Sequence, residues 1–328
     1  MRPLSFQLLR ELSHEHFVSG SQLAEKFGVS RSAVSDAMRD AGEAGVEIFS
    51  LTRRGYRLAS PVELLDVERL RKKLGAVAKR VNVAVVESIA STNSEMMQRA
   101  IDGAPSGTCL VAEIQTAGRG RRGRVWESAL GGSLAFSLLW RFDKGAAHLG
   151  GLSPAVGLAV LRALRAAGVA EKDVALKWPN DIISGHRKLA GVLIESQGDM
   201  LGPTAVVIGI GLNINLPDKT KEAIDQPVID VQSLMSDSVS RNDLLAAILR
   251  ELVAMLDRFQ VAGFPAFREE WIAAHALHGK PARVLNGDGT VLDTEVRGVA
   301  DDGSLIVMQH GREVILSSGE VSLRGARK

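Results

Sequence analysis

The chain has 328 residues, enough for about two or three domains, and its 45% hydrophobic content is that of an ordinary globular protein. Its net charge of +2 gives no bulk-charge argument for a nucleic-acid partner. A single cysteine, Cys109, excludes an internal disulfide and suits a reducing compartment.

The N-terminus carries Arg10, Glu11 and His14 early, without the apolar run of a signal peptide. No apolar stretch approaches the length of a membrane span, so a cytoplasmic protein with no membrane partner is expected. Phe6, Leu8, Leu9 and Leu12 form one helical face. A short helix over Gln22 to Phe27, the turn Gly28-Val29-Ser30 and a second helix from Arg31 to Ala41 make a helix-turn-helix pattern. Val46 to Phe49 and Gly55 to Leu58 then read as a hairpin across Thr52-Arg53-Arg54, the wing of a winged helix. DNA contact would fall to Arg31, Ser32, Ser35 and Arg39 on the second helix and to Arg53 and Arg54 in the wing. The segment carries eight lysines and arginines against seven acids. Asp36 and Asp40 lie on the recognition helix, where carboxylates oppose phosphate. A small helical dimerisation unit is the competing reading.

Ala59-Ser60-Pro61 reads as a linker. Beyond it, Val81 to Val86, Thr108 to Ile114, Leu134 to Trp140, Val174 to Trp178 and Thr204 to Gly209 are strand-like. Thr92-Asn93-Ser94-Glu95 has capping-box spacing and opens a helix. Ser153-Pro154 opens another, with serine at the N-cap and Gly168 closing it. Asp181 to Ser184 and Lys188 to Glu195 form a hairpin across Gly185-His186, and Asn242 to Gln260 is a long amphipathic helix. Strands that run together, instead of alternating with helices, give an α+β multidomain chain with a mixed or largely antiparallel central sheet. From about residue 279 the turn signals Asn286-Gly287-Asp288-Gly289, Asp301-Asp302-Gly303 and His310-Gly311 delimit a small all-β barrel. The expected domains are 1–62, 63–275 and 276–328.

Four arginines and three glycines fall within Ala117 to Arg124. The glycines leave the backbone free to move, and the arginines stay charged at neutral pH. Such a loop is suited to closing over a phosphate or carboxylate; a solvated basic loop is the alternative. Gly118-x-Gly120-x-x-Gly123 fits a dinucleotide fingerprint, but a second strand-like run follows and no helix does, so that reading fails. Three further clusters are each weak alone: Lys177-Trp178-Pro179-Asn180-Asp181 as a turn, Lys188-Leu189-Ala190-Gly191 at a strand start, and Gly209 to Asn215 as a glycine-punctuated strand.

In this order and spacing, these motifs resemble the biotin protein ligases, and more closely the bifunctional ligases that also repress the biotin operon. The match adds Ser91-Thr92-Asn93, Gln115 and the end motif Gly319-Glu320-Val321-Ser322-Leu323-Arg324. The resemblance implies a winged helix, a class II synthetase-like ligase domain and an SH3-like β-barrel. It implies that biotin and MgATP give biotinyl-5′-AMP and pyrophosphate. Biotin then passes to a lysine of the biotin carboxyl carrier protein of acetyl-CoA carboxylase. Lys188 and Arg121 would be catalytic. Ser91, Thr92, Asn93, Gln115, Arg119, Gly120, Arg121 and Lys188 would hold biotin. Arg121, Arg122, Trp126, Lys177, Asn180, Asp181, Asn213 and Arg324 would serve the adenylate, with Asp181 as the Mg²⁺ ligand. A homodimer with biotinyl-5′-AMP as corepressor would bind operator DNA of biotin-synthesis genes. A ligase whose winged helix does not regulate, a biotin-responsive transcription factor without catalysis, and lipoate attachment on a similar fold are the alternatives.

Overall fold

The computed structural model describes residues 1–198, 200, 202–286, 290–317 and 321–325. The chain begins with α1 (Pro3–Leu9), α2 (Gly20–Phe27) and α3 (Arg31–Glu43), followed by a hairpin of β1 (Ile48–Leu51) and β2 (Gly55–Leu58). Ser19 caps α2 and Ser30 caps α3, and Gly28 between them takes the left-handed conformation that ends a helix. Leu8, Leu23, Val34, Ala37 and Met38 close the small core of this winged helix-turn-helix. A second cluster joins Phe6, Leu9, Ala41, Val46 and Leu58 to Leu130, Val62 and Ile114, so this region shares apolar core with the next.

The middle region runs through α4 (Val67–Leu74), β3 (Asn82–Ile89), α5 (Thr92–Ile101), β4 (Thr108–Gln115), β5 (Gly118–Arg119), β6 (Val125–Trp126) and β7 (Ser133–Phe142). It continues with α6 (Leu152–Ala166), β8 (Ala175–Lys177), β9 (Asp181–Ser184), β10 (Arg187–Gly198), β11 (Thr204–Asn213), α7 (Asp218–Ala223), α8 (Arg241–Ala262) and α9 (Arg268–Ala274). Seven strands form one sheet in the order β3-β4-β7-β11-β10-β9-β8. Only the β3–β4 pair is parallel, giving the mixed sheet expected. Alternation sorts its two faces. Leu134, Phe136, Leu138, Val206, Ile208 and Ile210 enter the main core with α6 and α8. Leu110, Leu139, Ala205 and Val207 face α5 on the other side.

Two helix starts differ from the sequence reading. The cap of α5 is Ser91, whose Oγ accepts the Ser94 N–H, so Thr92 is the first helical residue. The cap of α6 is Gly151 at φ +76°, ahead of Ser153, because a β-carbon there would fall 2.3 Å from the Phe264 ring. Tertiary crowding chose glycine where local capping preference pointed to serine.

The segment entering this region is held by a buried ion pair. Glu113 and Arg241 meet at 2.7 Å with both side chains essentially inaccessible. Glu113 also accepts the Leu65 N–H at 2.5 Å, and Arg241 donates to the Glu63 carbonyl at 2.8 Å.

The C-terminal strands β12 (Pro281–Asn286), β13 (Val291–Val299), β14 (Leu305–Gln309), β15 (Arg312–Leu316) and β16 (Val321–Gly325) form an antiparallel sheet ordered β15-β14-β13-β12-β16. The expected barrel is not closed: β15 and β16 are the two edges and do not pair among the described residues. The Gly287-Asp288-Gly289 part of the first turn signal, and Gly319-Glu320 of the end motif, lie outside the described residues. This sheet docks through Trp178, whose indole N–H donates to the Gly303 carbonyl at 2.9 Å. Cys109 is a core residue, its thiol pushed up to about 12 by burial.

His275 supports the same tryptophan. Its Nε2 accepts the Trp178 backbone N–H at 3.2 Å, and its ring stacks on Trp271 at 4.6 Å. Burial pushes its pKa from 6.5 down to about 3, with His278, Lys280 and Lys177 adding in the same direction. The unfolded chain therefore takes up this proton first, and stability falls as pH drops from 6.5 toward 3. Urea unfolding at stepped pH is expected to show that loss beginning above about pH 5, before carboxylates titrate. His275→Asn is expected to flatten this first limb.

Candidate active site

The register of the central strands builds the floor of the site. On the α5 face, Ser137 lies opposite Gly209 and Ala135 opposite Gly211. Gly209 in turn lies opposite Leu193 and Gly211 opposite Gly191. The apolar row of this face thus ends in a strip with almost no side chains. A β-carbon at Gly209 would fall 2.1 Å from Asn93 Oδ1, and one at Gly211 would fall 2.3 Å from the Trp126 ring. The sequence suggests that these glycines let a ligand approach the backbone. They also make room for Asn93 and Trp126, and all four residues line the first cleft described below.

Lys188 reaches the site through a bulge. Its partner is Ile183 and that of Ala190 is Ile182, so the ladder slips at Leu189. A bulge re-aims side chains, and here it turns Lys188 over the sheet. The strand is interior, flanked by β11 and β9, so the edge-to-water alternative for this lysine falls. Its Nζ sits 2.7 Å from Asp181 Oδ1 and 5.7 Å from the Trp126 ring centroid. Asn213 lies beneath, buried, with Nδ2 donating to the carbonyls of Lys188 at 3.3 Å and Ile229 at 3.0 Å. It positions the lysine strand and lines neither cleft below.

Two clefts flank Lys188. The first, of about 450 Å³, is lined by Ser91, Thr92, Asn93, Gln115 and Arg119, among others. The second, of about 810 Å³, is lined by Arg122, Arg124, Lys177, Pro179, Asp181 and Gln226, among others. Gly120, Arg121, Trp126, Asn180 and Lys188 border both. The arginine loop forms their common wall. Its two short strands, β5 and β6, pair with each other, and no helix follows, which disposes of the dinucleotide reading. Arg122 holds φ +58° at its tip.

The loop arginines do different work. Arg121 donates to Asn180 Oδ1 at 3.1 Å, while Asn180 Nδ2 donates to the Val192 carbonyl. Burial pushes the Arg121 guanidinium below its ordinary value, the Asp181 carboxylate opposes this, and Arg122 and Arg124 add to the fall. A half-buried cation among like charges favours an anionic neighbour. Arg119 instead turns away from the second cleft and forms two bonds to Glu195, at 2.9 and 3.1 Å. Ser137 and Glu195 are site residues that motif reading missed. A lone serine in an apolar strand and a glutamate late in another were their only signals. Arg324 is on β16 opposite Arg283, and its side chain is outside the described residues.

Comparison with known proteins agrees with this layout. Residues 85–213 match the biotin/lipoate A/B protein ligase family, and residues 5–57 match an HTH domain. The bifunctional ligase/repressor BirA of Escherichia coli is 35% identical over 98% of both chains, and that of Salmonella typhimurium 36% over 97% of both. The chain belongs to the biotin protein ligase family. A biotin protein ligase from Aquifex aeolicus, solved in complex with biotin and ATP, superposes with a TM-score of 0.63 at 26% identity, covering 75% of this chain and 99% of that one.

The helix-turn-helix turns its polar side chains outward. Arg31, Ser32, Ser35 and Arg39 are all exposed along α3, as are Arg53 and Arg54 in the wing. The expected conflict with Asp36 and Asp40 is resolved internally. Asp36 pairs with Arg39. Asp40 turns back to α1, accepting from the Arg2 N–H at 2.7 Å and the Ser5 hydroxyl at 2.6 Å. Burial pushes its carboxyl up, but these bonds and the N-terminal charge hold it below the usual range.

The strip of glycines is testable. Gly211→Ala is expected to displace Trp126 and weaken ATP binding about tenfold or more, through a clash that the sheet backbone cannot relieve. Nucleotide titration against intrinsic tryptophan fluorescence, with a matched unfolding curve, checks it.

Proposed function

We propose that this protein is an ATP-dependent biotin protein ligase and a biotin-regulated DNA-binding repressor. The observation that carries the first half is the shared border of the two clefts, where Lys188 and Arg121 stand. Biotin fits the first cleft, with its carboxylate toward Lys188, and ATP the second. A biotin carboxylate oxygen attacks the α-phosphorus, the bond to the bridging oxygen breaks, and pyrophosphate leaves. Lys188 offsets the charge that both reactants bring together, and Arg121 clamps the phosphoryl oxygens. Arg122 and Lys177 face the departing phosphates. The ε-amine of a carrier lysine then attacks the carbonyl carbon, AMP leaves with the bonding pair, and the amine proton passes to solvent. The carrier is the biotin carboxyl carrier protein of acetyl-CoA carboxylase.

Mg²⁺ arrives with the nucleotide. The donor set fits a metal that keeps water and substrate oxygens: Asp181 is the carboxylate on the second cleft, and no cluster of three ligating side chains exists among the described residues. When bound, the metal would offset phosphate charge, with Asp181 holding it. The C-terminal strands would complete an SH3-like unit that carries Arg324 toward the nucleotide. The units divide near residues 62 and 275. Among the described residues no helix is long and apolar enough to cross a membrane; the work belongs in the cytoplasm.

Biotin-dependent exchange of labelled pyrophosphate into ATP tests the chemistry. Lys188→Ala is expected to lower exchange by about a hundredfold or more while biotin still binds. Wild type that binds biotin without exchange would leave a regulator and no ligase.

For regulation, biotinyl-5′-AMP would order the arginine loop, favour a homodimer and act as corepressor at operator DNA of biotin-synthesis genes. A gel shift with and without biotin plus ATP is expected to tighten with both. Arg31→Ala/Arg39→Ala should abolish the shift and leave pyrophosphate exchange unchanged. A shift indifferent to ligand would mean that the winged helix does not regulate.

A further inference from the structure

Three oxygen-to-oxygen contacts beneath the first cleft compete for two hydroxyl protons. Thr92 Oγ1 lies 3.1 Å from Gln115 Oε1 and 2.8 Å from Ser137 Oγ, and Ser137 Oγ lies 2.6 Å from Asn93 Oδ1. Each hydroxyl supplies one proton. Thr92 Oγ1 donates to Gln115 Oε1, which also accepts the Thr92 N–H at 2.7 Å, so the single Ser137 proton is what Thr92 and Asn93 compete for. The shorter contact takes it, and Ser137 donates to Asn93.

This direction requires Asn93 to present its oxygen, not its nitrogen, to Ser137. The amide's shape does not decide, because its two ends are nearly the same size. Glu195 does. A carboxylate in this position accepts, and its Oε2 takes the Asn93 Nδ2–H at 2.9 Å. Arg119 holds the carboxylate there with its two bonds. A negative group beside a site for two anions is otherwise unfavourable, and this chain of bonds supplies its reason.

We infer that Glu195 is a positioning residue that sets the donor and acceptor polarity of the first cleft. This rests on the reading of that cleft as the biotin site. With the Thr92 proton on Gln115 and the Ser137 proton on Asn93, Thr92 Oγ1 offers a lone pair to the cleft. Gln115, its oxygen occupied by Thr92, offers Nε2–H. A cyclic urea, one carbonyl flanked by N–H groups, needs donors and acceptors together in this way. With Asn93 turned over, the Ser137 proton would fall on Thr92 Oγ1 and take up the lone pair that the urea N–H needs.

Calorimetric titration of the full-length protein with biotin, and separately with ATP, tests the inference. Glu195→Met removes the acceptor at nearly constant length and is expected to weaken biotin about tenfold, with ATP affinity within about twofold. Glu195→Gln keeps one accepting oxygen and should stay within about threefold for biotin. Asn93→Asp alone sets two carboxylates together and should weaken biotin binding. In the Glu195→Met background the same change restores an accepting group beside Ser137 and should strengthen it. A sign reversal of this kind is not produced by loss of structure, which adds. If Glu195→Met does not fold, Glu195→Ala serves as the acceptor-free variant. Additive losses, or an unchanged biotin affinity without the acceptor, would overturn the role of Glu195 alone. A wild type that binds no biotin would overturn the functional reading and this inference with it.

Discussion

A carboxylate and a triphosphate repel, so a site that takes both needs a cation between them, and the two clefts here meet at Lys188. Two unit charges about 4 Å apart interact by about 4 kcal/mol at an effective dielectric of about 20, so a well-placed ammonium removes a large part of the opposition. Lys188 owes its place to four features of the fold. The bulge at Leu189 aims it, Asp181 and the Trp126 ring seat it, and Asn213 ties down its strand. The bare glycines at 191 and 211 leave room for the tryptophan and lysine side chains to lie flat on the sheet. Arg121 sits at the wall between the clefts, so one loop borders both.

The site and the DNA-binding region share physical structure. Gln115 at the end of β4 holds Thr92 in the first cleft, and Glu113 on the same strand holds the segment leading from the winged helix through Leu65 and Arg241. Ile114 between them packs in the cluster that joins both regions. One strand thus carries a cleft residue and, two residues away, a contact to the linker. The inward turn of Asp40 toward α1 and the pairing of Asp36 with Arg39 leave Arg31, Ser32 and Ser35 exposed on α3.

Much of the site was legible as motifs. The arginine loop, Lys177 to Asp181, Lys188 and Ser91 to Asn93 all converge on two adjoining clefts, because each sits at a strand end or helix start where local sequence dictates a turn. The exceptions are instructive. Asn213 belongs to a recognisable motif and shares the face of Gly209 and Gly211, but it is buried at the strand end with its amide spent on the Lys188 and Ile229 carbonyls. Arg119 belongs to the loop motif but is held by Glu195, some seventy residues away. The helix caps at Ser91 and Gly151 moved from the expected residues because neighbours distant in sequence decided which backbone conformation fitted. The small C-terminal sheet has the expected alternation and, among the described residues, the turns at 301–303 and 310–311, yet local patterning does not specify whether its two edge strands meet.

The sequence by itself determined composition, chemistry and short-range form: a loop of permanent cations, the helices and strands, the winged helix, and a cleft lysine with its aspartate nearby in the chain. These follow from periodicities of two and 3.6 residues and from side chains whose charge does not depend on context. Only the tertiary structure decided which glycines make room for which side chains. It also decided which loop arginine meets Asn180 and which meets Glu195. Those outcomes depend on cross-strand register and on contacts between residues far apart in the chain. A one-residue slip would send the same side chains to the opposite face of the sheet.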